Sequence, residues 1–198
     1  MSATAFGETF VTLLVIMDPL GAATIFVALT RPLPQQARRR AAVRATLAAL
    51  ALVLLFAVFG DVILRYLGVS IHSLSIAGGL LLLLLALEML RGLDAPHVGE
   101  PDVDVALVPL ASPLVAGPGA IATAIVLARR YGSTEGRVSV LLGIVCAVAV
   151  VGIALLTADW FAQRIPPAIT AFLTRVLGLL LAAIGIQLIL NGVHGSFG

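Results

Sequence analysis

The sequence predicts an all-α integral membrane protein, with six transmembrane helices arranged as two inverted three-helix repeats. Three observations predict it. The first is composition: of 198 residues, 61% are hydrophobic and 11% charged, with a mean hydropathy of +1.15. A soluble domain carries about 25% charged residues, so this chain lacks the polar surface to wrap a globule in water. That excludes soluble enzymes, nucleic-acid binders and disordered chains. The second is spacing: at about 20 residues per span, six apolar runs leave room only for short loops and for no separate soluble domain. The third is internal: shifted by 99 residues, half its length, the sequence falls into register with itself without a gap.

Taken in order, the first helix is expected over about Glu8 to Thr30, the second over Val43 to Leu67 and the third over His72 to Leu90. Arg91 to Asp104, with Asp94, Glu100, Asp102, Asp104, Pro96 and Pro101, reads as a solvated linker. The fourth helix is expected over about Val105 to Ala128, the fifth over Val138 to Phe161 and the sixth over Ile169 to Asn191. These runs are too long for strands, and the alternation of a membrane barrel is absent. Four-residue spacings of small residues, such as Ala41, Ala45 and Ala49, or Thr174, Gly178 and Ala182, permit close helix approach in lipid.

All twelve basic residues are arginines. Arg31, Arg38, Arg39, Arg40 and Arg44 fall in the hinge between the first two apolar runs. Flanked by spans, they read as a positive-inside topology signal, not as a nucleic-acid patch. With the N-terminus outside, the inner loops hold Arg31, Arg38, Arg39, Arg40, Arg44, Arg91, Arg164 and Arg175. The outer side then holds Arg65, Arg129, Arg130 and Arg137. Both termini are therefore expected outside. Met1 to Gly7 carries no basic residue, so the first segment is expected to stay as a span and not to be cleaved as a signal peptide.

The single cysteine, Cys146, supports no disulfide framework, redox pair or thiolate site. His72, His97 and His194 sit at helix ends and linkers without metal-ligand spacing. No metal and no cofactor is expected. Phosphate-binding GxxxxGK, HExxH and nucleophile-elbow patterns are missing, so an enzyme is not expected.

The repeat carries more. In the 99-residue register Pro19 meets Pro118, Ala23 meets Ala122, Thr24 meets Thr123 and Val27 meets Val126. Arg31 meets Arg130, Arg38 meets Arg137, Gly79 meets Gly178, and Glu88 meets Gln187. Leucine matches are cheap in such a composition; these are not. The chain divides into repeats of about residues 1–99 and 100–198, forming a single membrane domain. Each holds three spans, an odd number, so the second copy enters the membrane from the opposite side. Many secondary transporters use this plan for alternating access, although a plan names no substrate.

Two helices are broken at repeat-equivalent depths. One break is Asp18-Pro19-Leu20-Gly21; the other is Gly117-Pro118-Gly119, with Pro109 and Pro113 upstream. Proline removes a backbone donor and clashes with the preceding turn, and glycine loosens what remains. Exposed backbone groups at membrane depth are tolerated only where protein or a water-filled cavity satisfies them. Half-helix N-termini attract anions through unpaired amides and the helix dipole, and a substrate carboxylate is a natural ligand there. The candidate substrate-binding residues are Asp18, Pro19, Leu20, Gly21 and Ala22 from the first break. The second contributes Gly117, Pro118, Gly119, Ala120 and Ile121.

A carboxylate at the centre of a span costs about 2.5–3.5 kcal/mol on insertion scales. Asp18 has two compatible roles: to cap the half-helix that follows, or to meet a substrate amine or a coupling proton. Glu88, near the end of the third span, either snorkels to the inner interface or carries a charge needed once, since its repeat partner Gln187 is neutral. Asp18, Glu88 and Gln187 are thus the polar and proton-coupling candidates. Asp61 and Asp159 fall at outer and inner span ends.

Four segments resemble the MarC family of bacterial and archaeal inner-membrane proteins, which includes the SnatA-type small neutral amino-acid transporters. They are Met17 to Gly21, Pro113 to Ile121, Ile76-Ala77-Gly78-Gly79 with Leu87 to Leu90, and Gly178 through Gln187 to Asn191-Gly192. The resemblance spans nearly the whole chain. It implies six spans, a relationship to the LysE superfamily of exporters, and a small-molecule substrate of the glycine and alanine type moved with protons. One departure concerns the first motif, which in the family continues Gly-Asn-x-Pro-x-Phe. Here Ala22 stands where the family has Asn, and Thr24 where it has the second Pro.

The expected function is therefore a proton-coupled transporter of small neutral amino acids across the inner membrane, in contact with lipid and with no nucleic acid. The alternative is an exporter or passive pore for another small solute. An intramembrane enzyme is disfavoured, because the midplane offers no nucleophile or metal pair beside Asp18. A scaffold would leave the paired breaks without a purpose.

Overall fold

A computed structural model describes residues 2–91, 116–164 and 166–197. Every regular element among them is a helix: α1 (Ala3–Met17), α2 (Pro19–Thr30), α3 (Gln35–Tyr66), α4 (Ile71–Arg91), α5 (Pro118–Arg130), α6 (Thr134–Leu156), α7 (Ala158–Arg164) and α8 (Pro167–Phe197). Five stretches are long and apolar enough to cross a membrane: Ala3–Thr30, Gln35–Tyr66, Ile71–Arg91, Thr134–Leu156 and Ala168–Ser196. The chain is a multi-pass membrane protein.

Sequence had suggested six crossings; five are found among the described residues. Of the expected fourth helix, α5 is the described part, and the stretch before Ala116 lies outside the described residues. So do Pro109, Pro113, nearly all of the acidic linker and the boundary expected between the repeats.

The boundaries differ from the hydropathy reading in instructive ways. Hydropathy starts the second helix at Val43, whereas α3 starts at Gln35 with Pro34 as its N-cap. Arg38, Arg39, Arg40 and Arg44 therefore lie on a helix, and only Arg31 falls in the hinge before it. Arginine is a good helix former, so a helix longer than the roughly 30 Å hydrocarbon core carries its charged turns into the interface. The fifth apolar run does not reach Phe161 unbroken: the helix stops at Leu156, turns at Thr157 and restarts as α7. The last helix runs on to Phe197 instead of ending at Asn191.

Small residues set the packing. The most extensive interface joins α4 to α8. A Cβ built on Gly185 would stand 2.7 Å from the carbonyl oxygen of Gly79, and one on Gly79 would meet Gly185 and Ile189. To either side of that contact, Gly178 faces Ala86, Met89 and Leu90, and Gly192 faces His72 and Ile76. Rising numbers on α4 meet falling numbers on α8, so the two helices are antiparallel. By the same test α1 and α6 are parallel: Ser2 N–H donates to Ser139 Oγ at 2.9 Å, and Gly143 packs on Phe6 and Thr9. Around this centre lies a buried core that includes Leu13, Val53, Leu82, Ile144, Val148 and Leu181. Leu47, Phe59, Val62, Ile153, Phe172 and Leu179 are exposed, as suits side chains whose solvent is lipid.

Candidate functional site

The first break is a single residue. α1 ends at Asp18, whose φ of 36° and ψ of 79° put it in the left-handed region. It is the one non-glycine residue with positive φ among the described residues. Aspartate tolerates that region better than most side chains, and Pro19 suits the first position of the next helix because its missing N–H would have no partner there. Asp18 N–H donates to Val15 O at 3.3 Å and its carbonyl accepts from Ala22 N–H at 2.8 Å. The chain thus closes one helix and opens another with little loss of backbone hydrogen bonding.

The Asp18 carboxylate lies over the first turn of α2, against Gly21, where a Cβ would collide with it. It makes no capping hydrogen bond to that helix. The aspartate therefore lies at the start of α2 without capping it.

The second break repeats the plan with a different cap. Gly117 is the N-cap of α5 and Pro118 opens the helix. Ile121 N–H donates to Gly117 O at 3.2 Å. The two breaks are neighbours: a Cβ on Gly119 would collide with Leu82 and come within 4.0 Å of Ile16, two residues before Asp18. Gly119 and Ala120 are buried, while Gly117 is half-buried and Pro118 exposed. A cavity of about 290 Å³ lies beside Pro118 and Ile121, walled by Leu52, Gly78 and Leu81.

These facts narrow the set of amides named from sequence. The N–H groups of Ala22 and Ile121 serve their own helices, and the two prolines have none. Leu20, Gly21, Gly119 and Ala120 supply the remaining first-turn amides.

The other candidates lie elsewhere. Glu88 is exposed, off the face of α4 that is buried through Ser75, Gly78, Gly79, Leu82, Ala86 and Met89. Gln187 is exposed too; its side-chain amide donates to Asn191 Oδ1 at 2.9 Å. Neither is brought to the breaks.

Charged clusters that sequence did not pair bind the two ends of the bundle. At one end Arg38 meets Asp159 at 2.6 Å and also donates to the carbonyls of Thr30, Leu33 and Arg31. Its partner is 121 positions away, a separation no local pattern reveals. At the other end Arg65 and Arg129 both pair with Asp61, and Arg130 pairs with Glu8 at 2.6 Å. Tyr131 O–H donates to Glu8 Oε2. That hydrogen bond, then burial and the Glu8 charge, raise the Tyr131 phenol above its usual 10.0, against the pull of Arg130.

Comparison with known proteins fits this architecture. The family model described as "MarC family integral membrane protein" matches residues 3–197. The chain is 36% identical over 188 residues to the UPF0056 membrane protein MJ1677 of Methanocaldococcus jannaschii, covering 91% of this chain and 92% of that one. It is 34% identical to the UPF0056 membrane protein PYRAB13050 of Pyrococcus abyssi, over 98% and 96% of the two chains. Identity is again 34% with the UPF0056 membrane protein YhcE of Escherichia coli, over 95% and 91%. No solved structure matches. With a match over nearly its whole length and relatives that share its span, the chain belongs to the MarC family of integral membrane proteins.

Proposed function

We propose that this protein is a secondary transporter of small neutral amino acids of the glycine and alanine type. It works in the cell inner membrane, driven by protons, by alternating access at a midplane site between the two breaks. The observation that carries this reading is the adjacency of the Asp18 break and the start of α5, through Ile16 and Gly119. Two helix starts then share one region at membrane depth, and their caps differ. Asp18 supplies the negative charge at α2, whereas Gly117 leaves the start of α5 without an acidic cap. A zwitterion suits that asymmetry: its ammonium beside Asp18, its carboxylate toward the amides of Gly119 and Ala120. Protonation of Asp18 would release the ammonium, which is how a proton is coupled to cargo in this scheme.

Helix directions support six crossings in two inverted repeats. With α6 as the lone crossing between them, α4 and α8 would run parallel. Their antiparallel packing supports another crossing between Arg91 and Thr134, with α5 as its described part. Gly79 against Gly185 and Ile189 becomes, on shifting by 99, Gly178 against Ala86 and Leu90, and those contacts are present. This reciprocity is what a two-fold axis in the membrane plane demands. The end that carries Arg31, Arg38 and Arg164 is the inner one in this proposal, which leaves both termini outside. No catalytic role is assigned.

Counterflow separates a carrier from a pore. Vesicles reconstituted with the protein and preloaded with unlabelled alanine should transiently accumulate labelled glycine. Equilibration without overshoot favours a passive pore and counts against alternating access.

A further inference from the structure

A second cavity, of about 530 Å³, lies at the end of the bundle that holds the N-terminus. Its wall draws on α1, α4, α5 and α8, and none of the break residues lines it. Three features make it a built site. Its rim carries both signs of charge: Glu8, with Arg129 and Arg130. Each arginine is at least half exposed. Each also spends one Nη1 on a carboxylate, Asp61 or Glu8, out of five donors in a guanidinium. The wall also bears the hydroxyl residues Thr12, Ser75 and Thr123. Thr123 precedes Arg129 by six residues, about 9 Å of helix rise.

Thr123 is the telling residue. It is 1% exposed, and its Oγ1 has no hydrogen-bond partner among the described residues. A helical threonine can bond a carbonyl of its own preceding turn, as Thr9, Thr30 and Thr46 do. So does Thr24, its equivalent in the repeat register, which donates to Gly21 O at 2.7 Å. Thr123 forgoes that bond although it is buried, and a buried hydroxyl without a partner destabilises the fold. A ligand in the cavity would supply the partner.

We infer that this cavity binds a small solute bearing both a carboxylate and an amine. The carboxylate is held by the remaining donors of Arg129 and Arg130, the ammonium by Glu8, and a polar atom by Thr123 Oγ1. Gln187, the repeat partner of Glu88, belongs to this wall with Asn191. The inference concerns binding alone and does not need transport to occur.

The test is equilibrium binding to the full chain in nanodiscs, using glycine, acetate and methylamine as probes. Glycine should bind, and each half-molecule at least about tenfold more weakly, the loss of roughly one charge-assisted contact. Thr123→Val keeps the side-chain shape and removes a hydroxyl that has no partner, so the variant should fold with unchanged or higher thermal stability. Its glycine Kd should rise several-fold. A Kd unchanged in Thr123→Val and raised in Asp18→Asn would assign binding to the breaks alone; the inference would fall and the transporter reading would stand. No glycine binding to folded wild-type protein would overturn the inference outright. Glycine binding weakened by Thr123→Val in a protein that shows no flux would sustain it and count against transport.

Discussion

The carboxylate of Asp18 is folded over Gly21, one turn into α2, so closely that a β-carbon at position 21 would collide with its Oδ2. Glycine at 21 is therefore what lets the aspartate lie across the start of its own half-helix. The atom in the way is the end of a flexible side chain, not backbone, so the carboxylate can yield.

Gly21→Ala is expected to displace the Asp18 carboxylate while leaving the fold intact. Alanine favours a helix over glycine by about 1 kcal/mol, which offsets the adjustment, so the unfolding temperature should change little. Transport should drop about tenfold, the equivalent of one hydrogen bond to a charged group at about 1.5 kcal/mol. Thermal unfolding and vesicle flux on the same preparation separate the two effects. Full flux in this variant would mean that the position of the carboxylate does not matter.

The α4–α8 interface gives a graded prediction. At Gly79 and Gly185 an added Cβ meets backbone of the opposite helix, with Gly79 O only 2.7 Å from the Cβ of position 185. At Gly178 the nearest atoms are Met89 Cβ at 3.1 Å and Ala86 O at 3.3 Å. Alanine at 79 or 185 should therefore cost about 1–3 kcal/mol as overpacking, and alanine at 178 distinctly less. Unfolding of each variant in mixed micelles reads the order. Equal losses at all three positions would contradict the closer backbone approach at Gly79 and Gly185.

Arg38 serves as an anchor as well as a topology signal. Its side chain is 23% exposed and that of its partner Asp159 47%, so the pair itself should contribute only about 0.5–1 kcal/mol. Arg38→Ala should cost more than Asp159→Ala, because it also abandons the carbonyls of Thr30, Leu33 and Arg31. A double-mutant cycle on unfolding free energies isolates the pair. A coupling energy of zero would show that the ion pair adds nothing to the carbonyl contacts.

Tyr131 predicts an alkaline limit. Its phenol is raised above 10.0, chiefly by its hydrogen bond to Glu8. The unfolded chain then loses that proton more readily than the folded one. The contribution is complete below pH 10 and disappears as the pH climbs through the raised value. Melting temperature followed from pH 8 upward should fall beyond pH 10 in the wild type and fall less steeply in Tyr131→Phe. Superimposable profiles would remove Tyr131 from the account.

Much of this architecture was legible in the sequence, for physical reasons that also mark its limits. Asp18-Pro19 announced a break because proline belongs at a first helical position and nowhere in a helix interior. The start of α3 at Gln35 was not legible from hydropathy, because charged residues outside the hydrocarbon continue a helix without adding to an apolar run. Arg38 with Asp159, and Glu8 with Arg130 and Tyr131, join distant segments whose charges looked like interface residues one by one. Thr123 was visible only as a repeat match to Thr24; its inward burial on α5 distinguishes them. The exposure of Glu88 was available from helix phase, since positions 75, 78, 82, 86 and 89 define the inward face and 88 falls off it.

The central claim is that the paired breaks carry a small zwitterion with a proton. Labelled glycine and alanine uptake into reconstituted vesicles under an imposed proton gradient tests it most directly. The account predicts saturable uptake that collapses when the gradient is dissipated, and loses its dependence on pH in Asp18→Asn. Folded protein that moves neither amino acid, or flux that rises linearly with concentration and ignores the gradient, would contradict it.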